Sequence, residues 1–124
     1  MHHKIILVGS IFFTCMGVLN PSIAQDNIQQ MLLKCTTATV PNDQFYCYGR
    51  VTATFEMLAL NGETVAQYNK PAKSLLSICG VRPPPSYGAQ VQVFVNWANN
   101  HPEKWRHTDL EGVMQAMLEK WPCR

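Results

Sequence analysis

Charge is scarce in this chain of 124 residues, and neither sign dominates. Only 15% of residues are charged, with 10 Lys and Arg against 8 Asp and Glu. A near-neutral domain lacks the electrostatic footprint of a protein that grips nucleic acid or an anionic membrane surface. Gly-Lys-Ser phosphate loops, Gly-x-Ser-x-Gly elbows and His-Glu-x-x-His helices are all missing, so the nucleotide, esterase and zinc-hydrolase motifs give no support to a catalytic reading. No Cys-x-x-Cys pair occurs, which weakens zinc-ribbon and redox readings. After residue 19 there is no second long apolar run. What is present is an apolar fraction of 47%, too high for a disordered tail and enough for one small domain.

The N-terminus has the layout of an export signal. Met1-His2-His3-Lys4 is short, polar and basic, and Ile5–Leu19 is mostly apolar. Asn20-Pro21 breaks the run, and Ser22-Ile23-Ala24 offers small residues to a signal peptidase, with cleavage before Gln25. The run is shorter than the ~20 residues of a comfortable membrane span. Phe12-Phe13-Thr14 ahead of Cys15 makes a poor lipid-attachment box, so Cys15 is expected to leave with the signal. The expectation is a signal peptide over 1–24, one domain over 25–124 and a periplasmic protein with no membrane contact after cleavage. Loss of Lys4 leaves 9 basic against 8 acidic residues.

Cys35, Cys47, Cys79 and Cys123 remain, an even number that suggests two disulfides in a small exported domain. Their spacing alone permits three pairings. Helix periodicity favours one of them. Ile28, Met31, Leu32 and Cys35 fall at i, i+3, i+4 and i+7, predicting a first helix capped near Asp26. Thr36–Pro41 reads as a loop. Asn42 or Asp43 can cap a second helix, with Phe45, Tyr48, Thr52, Phe55 and Ala59 along one side and Cys47, Val51 and Leu58 along the next. Asn61-Gly62 reads as its C-terminal stop, and Gly49 inside it implies close approach by another helix. Residues 63–79 show no long period, with one short turn over 74–79. Gly80–Pro85 is an extended connector stiffened by Pro83-Pro84-Pro85.

Ser86 can cap a third helix, with Tyr87, Val91, Phe94, Val95 and Ala98 on one face and Val93 and Trp97 on another. It ends at Asn99-Asn100-His101-Pro102. Thr108 and Glu111 have the spacing of a capping box, and Leu110, Val113, Met114, Met117, Leu118 and Trp121 trace the stripe of a fourth helix, stopped by Pro122. No convincing strand appears. The fold class predicted is all-α, a compact bundle of four main helices. Antiparallel neighbours bring Cys79 beside Cys123, and Cys35 ends one helix where Cys47 begins the next. The expected disulfides are therefore Cys35–Cys47 and Cys79–Cys123, worth roughly 3 and 4 kcal/mol in the chain-entropy account.

Little chemistry converges. His101 and His107 share a loop with Glu103 and Asp109, a pattern more typical of a solvated or capping loop than of an acid–base site. With four cysteines paired, no thiol nucleophile remains. No catalytic residue, metal or cofactor is expected. Met114, Met117, Trp97 and Trp121 read as core, and Trp105 as a clasp closing the core ahead of a binding anchor. The candidate partner contacts are aromatic or cationic residues outside the helix stripes, namely Tyr68, Lys70, Arg82, Tyr87, Trp105 and Arg106.

Three segments in order resemble the Rap/Tai family of immunity proteins for type VI secretion amidase effectors. They are Phe45-Tyr46-Cys47-Tyr48-Gly49; Cys79-Gly80-Val81 with the Gln-bearing apolar helix Gln90–Trp97; and His101-Pro102-Glu103 followed by Leu110, Val113 and the ending Trp121-Pro122-Cys123. The chain departs from the family at Ala53, where a second Gly is common, and at Gly80, where Pro often follows the third cysteine. The resemblance implies a small helical periplasmic protein, commonly a homodimer, that blocks the substrate groove of a peptidoglycan amidase by steric and stoichiometric means. Two other readings stand beside it. One is an orphan periplasmic helical binding or chaperone-like protein without an effector partner. The other is a small hydrolase built on His101, His107 and Glu103.

Overall fold

The computed structural model describes residues 25–37, 39–68 and 76–123. The signal-peptide expectation and Lys70 lie outside these residues. The described residues hold four α-helices: α1 Ile28–Thr36, α2 Pro41–Tyr68, α3 Tyr87–Asn100 and α4 Asp109–Lys120, with a short 3-10 turn at Pro102–Lys104 between the last two. The all-α class is as predicted, and among the described residues pairing of the β type is confined to two isolated bridges, Asn27 with Thr108 and Ile78 with Pro122. Most of each helix stripe turns inward, although Tyr87, expected on the apolar face of α3, is exposed because it sits in the first turn beyond the core. Ile28 and Met31 of α1, Val51 and Leu58 of α2, Phe94 of α3 and Val113 and Met117 of α4 are fully buried in one core.

Both expected disulfides are present, Cys35–Cys47 and Cys79–Cys123. The first staples α1 to the first turns of α2. The second ties the strand-like segment before α3 to the end of α4, where Cys79 N also donates to the Trp121 carbonyl at 3.1 Å. Trp121 meets Phe55 edge to face with ring centroids 5.4 Å apart, closing the core beneath this staple.

Several local expectations are corrected. The cap of α1 is Asn27, one residue after Asp26. Its side chain accepts from Gln30 N, and Gln30 reaches back to the Asn27 amide, so the reciprocal box sits here. Asp26 instead pairs with Lys34. Helix α2 begins at Pro41 itself, because a residue without an amide hydrogen suits the first helical position. It runs on to Tyr68, past Asn61-Gly62. Gly62 is buried, and a Cβ there would collide with the carbonyl oxygen of Ile78. Its lack of a side chain lets the connector cross the helix rather than stopping it. Ile78 N donates to the Leu58 carbonyl at 3.1 Å at this crossing. The left-handed glycine is Gly80, with φ +69°, where the chain turns toward α3.

Gly49 was expected to mark a helix–helix approach, yet nothing lies within 4 Å of where its Cβ would be. Phe45, placed by its spacing along one apolar side of α2 with Tyr48 and Phe55, is 76% exposed. The inward face of α2 is the Cys47, Val51, Leu58 side, extended by Thr54, Phe55 and Gly62. Residues 76–79 are extended, where a short turn was expected, because Ile78 bridges to Pro122.

Candidate functional site

The outer face of α2 does not end against solvent along its whole length. Over its middle turns it forms one wall of an open groove of about 340 Å³. Phe55, Glu56, Ala59, Leu60 and Glu63, spaced at three and four residues, supply that wall. The connector supplies the other through Val81, Arg82, Pro84 and Pro85, and the first turn of α3 adds Tyr87 and Gln90. The prolines hold this wall extended, so the groove is set by backbone geometry and not by flexible side chains alone. Leu60 and Tyr87, at 64% and 61% exposure, give the groove its open apolar surface.

Three polar groups shape the groove. Arg82 and Glu63 form an ion pair between its two walls. Glu56 makes no ion pair with any described residue. Gln90 is only 2% exposed. Its Nε2 donates to the Pro85 carbonyl at 2.9 Å, which fixes the amide orientation because that carbonyl can only accept. The Oε1 of Gln90 is then buried without a hydrogen-bond partner. A buried acceptor left in this state costs about 1–3 kcal/mol.

A second polar centre contrasts with this. Asp109, at the start of α4, is 0% exposed, and its carboxylate is saturated. Arg50 donates from Nε to Oδ2 and from Nη2 to Oδ1, both at 3.0 Å, a bidentate fork. Tyr46 Oη donates to Oδ2 at 3.0 Å and Gln25 Nε2 to Oδ1 at 3.3 Å. The backbone amide of Asp109 donates to the Asp26 carbonyl at 2.9 Å. Burial works against the charged form, but Arg50, Tyr46, Gln25 and the Leu110 amide together hold the carboxyl below its usual range. Burial and the hydrogen bond to Asp109 push the Tyr46 phenol up to about 12. The same carboxylate raises Arg50 further above its ordinary value. The centre ties the segment before α1 to α2 and α4 at one corner.

The six candidate partner residues do not gather in one place. Arg82 and Tyr87 line the groove. Tyr68 is exposed at the end of α2, outside the groove lining. Trp105 and Arg106 lie past the opposite end of α3, about 20 Å along that helix from Tyr87. Trp105 is a clasp: it is half-buried, and its Nε1 donates to the Ala98 carbonyl at 2.8 Å. Its own carbonyl accepts from Gln29 N at 3.3 Å, holding α1 against the loop. Glu56, Leu60, Glu63 and Gln90 escaped sequence reasoning. The available signal was Leu60, an apolar residue off the core stripe of α2 and one turn from Glu56 and Glu63.

The two histidines take separate partners. His101 Nδ1 lies 3.0 Å from Glu103 Oε1, while its ring rests on Trp97 at 4.7 Å between centroids. His107 Nδ1 lies 2.9 Å from Glu111 Oε1. A hydrogen bond from its own backbone and one from His101 hold the Glu103 carboxyl below the usual range. Thr108 accepts from Glu111 N at 3.4 Å, and the Glu111 carboxylate serves His107 and Gln115. Among the described residues, no cluster of three or more His, Cys, Asp or Glu could hold a metal ion.

Fold and site define a helical body, doubly cross-linked, with a preformed groove on one flank. No family model, no curated protein and no solved structure matches this chain.

Proposed function

We propose that this protein is a periplasmic immunity protein that binds and sterically inhibits a peptidoglycan amidase effector of type VI secretion. The observation that carries the reading is the groove between α2 and the connector, which offers exposed apolar surface and an uncommitted buried acceptor on a rigid body. A body already ordered by two cross-links loses little conformational freedom on binding, which favours a tight inhibitor. The order of the motifs around Cys47, Cys79 and Cys123 supports the partner class through their resemblance to the Rap/Tai family.

Export supports the compartment. The basic start, apolar run and small residues before Gln25 have the form of a cleavable signal, and disulfides persist where the environment is oxidising. No helix among the described residues is long and apolar enough to cross a membrane. Inhibition would require no chemistry from this chain; it would act mole for mole by covering the amidase groove. A homodimer, which the resemblance implies, belongs to the same proposal.

The test uses the purified, disulfide-intact protein and a cell-wall amidase encoded beside its gene. A saturable complex at micromolar concentration or tighter, with loss of amidase activity, is the expected result. Absence of both binding and inhibition overturns the reading for that pair. Hydrolysis of peptidoglycan fragments by the protein alone, abolished in His107→Ala, would replace it with the hydrolase reading.

A further inference from the structure

We propose that the groove between α2 and the connector is a receptor for a cationic side chain, an arginine or lysine presented by the protein partner. This rests on the binding role proposed above and specifies the group the partner inserts.

Two groups at the groove offer acceptors without a partner among the described residues. The Gln90 Oε1 is buried and unpartnered, and the Pro85 carbonyl prevents the amide from turning to offer its nitrogen instead. Glu56 brings a carboxylate with no pairing among the described residues. The cation at the rim, Arg82, is already engaged by Glu63. Two carboxylates and one guanidinium leave the recess with a formal charge of −1, although the chain as a whole carries +2. An anionic group would therefore meet Glu56 unopposed. A purely apolar group would leave the Gln90 oxygen without a donor, the less favourable outcome for a buried acceptor. A guanidinium or ammonium satisfies both, carrying several N–H donors and a positive charge.

The rest of the lining suits the stem that carries such a head. Leu60 and Val81 give apolar contact for a chain of methylenes. Tyr87, exposed at the mouth, offers a ring face of the kind that attracts a cation. About 340 Å³ accommodates one long side chain and not a folded element.

The measurement is an NMR titration of the disulfide-intact protein with three probes of similar length: the Nα-acetyl methylamides of arginine, lysine and norleucine. The expected result is saturable shifts of the Gln90 side-chain amide and the Tyr87 ring, with at least fivefold tighter binding of arginine or lysine than of norleucine. Glu56→Gln, a neutral substitution at an exposed helix position, should remove that preference while leaving the spectrum otherwise folded. Equal or tighter binding of norleucine, saturable shifts centred elsewhere on the protein, or no saturable shift overturns the inference. Amidase binding is measured in parallel on the wild type and on Glu56→Gln. An amidase that binds both alike removes the cation receptor and leaves the immunity reading intact. Probe binding at the groove without any amidase binding does the reverse.

Discussion

Asp109 and Gln90 are both buried polar side chains near the start of a helix, yet they stand in opposite conditions. Asp109 has its two oxygens filled by Arg50, Tyr46 and Gln25. Gln90 has its nitrogen filled and its oxygen empty. A saturated buried ion fixes structure, because every partner it holds is positioned by it. A half-satisfied buried amide in the lining of an open groove fixes one neighbour, Pro85, and leaves an acceptor unused. The corner at Asp109 is the frame of the molecule, and the flank at Gln90 is the interface we propose.

The strongest way to break this contrast is Arg50→Ala. It leaves a fully buried carboxylate without its cation, and loss of one member of such a pair is expected to cost about 3 kcal/mol. Thermal unfolding should fall by roughly 12 °C or more for a domain of this size, while groove binding measured below the transition stays within twofold. An equal loss at the groove would join the two regions.

Acid and alkali should report the same corner. The carboxyl of Asp109 is depressed in the folded state, so its stabilisation is complete above the unfolded value of about 3.9 and is lost as pH falls through the folded one. Tyr46 is raised to about 12, so its contribution is present below the ordinary phenol value near 10 and disappears as pH climbs toward 12. Denaturant unfolding between pH 2 and 5 should show a steeper acid loss in wild type than in Asp109→Asn, which lacks the titrating group.

Gln90→Leu sharpens the comparison from the other side. It removes an unpaired buried oxygen and also the bond to the Pro85 carbonyl, so the two changes should offset to within about 1 kcal/mol of stability. Partner affinity should nevertheless fall at least tenfold by calorimetry. The smallest effect is expected at Gly49, an exposed mid-helix position with open space around it. Gly49→Ala should raise unfolding stability by about 0.5–1 kcal/mol and leave both regions unchanged.

Most of the frame was legible in the sequence because it is written in short periods. The α1 and α4 stripes, the cap at Thr108 and both cysteine pairs follow from spacings along single helices and the antiparallel order of neighbours. The end of α2 was not legible. Asn-Gly carries the same signal whether glycine turns a helix off or admits a crossing chain, and only the Ile78 carbonyl decides between them. The Asp109 centre was hidden for a different reason. Its partners Arg50 and Tyr46 lie 59 and 63 positions away, and no local pattern couples residues at that distance. At the groove, Arg82 and Tyr87 were found through their chemistry and their place outside the stripes. Glu56, Leu60 and Gln90 were not, since a polar or apolar residue on a helix shows its surroundings only when the facing wall is known.

The most direct measurement is an inhibition titration, in which hydrolysis of peptidoglycan by the cognate amidase is followed as the disulfide-intact protein is added at enzyme concentrations well above Kd. Activity should fall linearly and reach its floor at one equivalent, with Arg50→Ala retaining that endpoint below its unfolding temperature and Gln90→Leu losing the sharp break. Full amidase activity at several equivalents of folded wild-type protein would contradict the account.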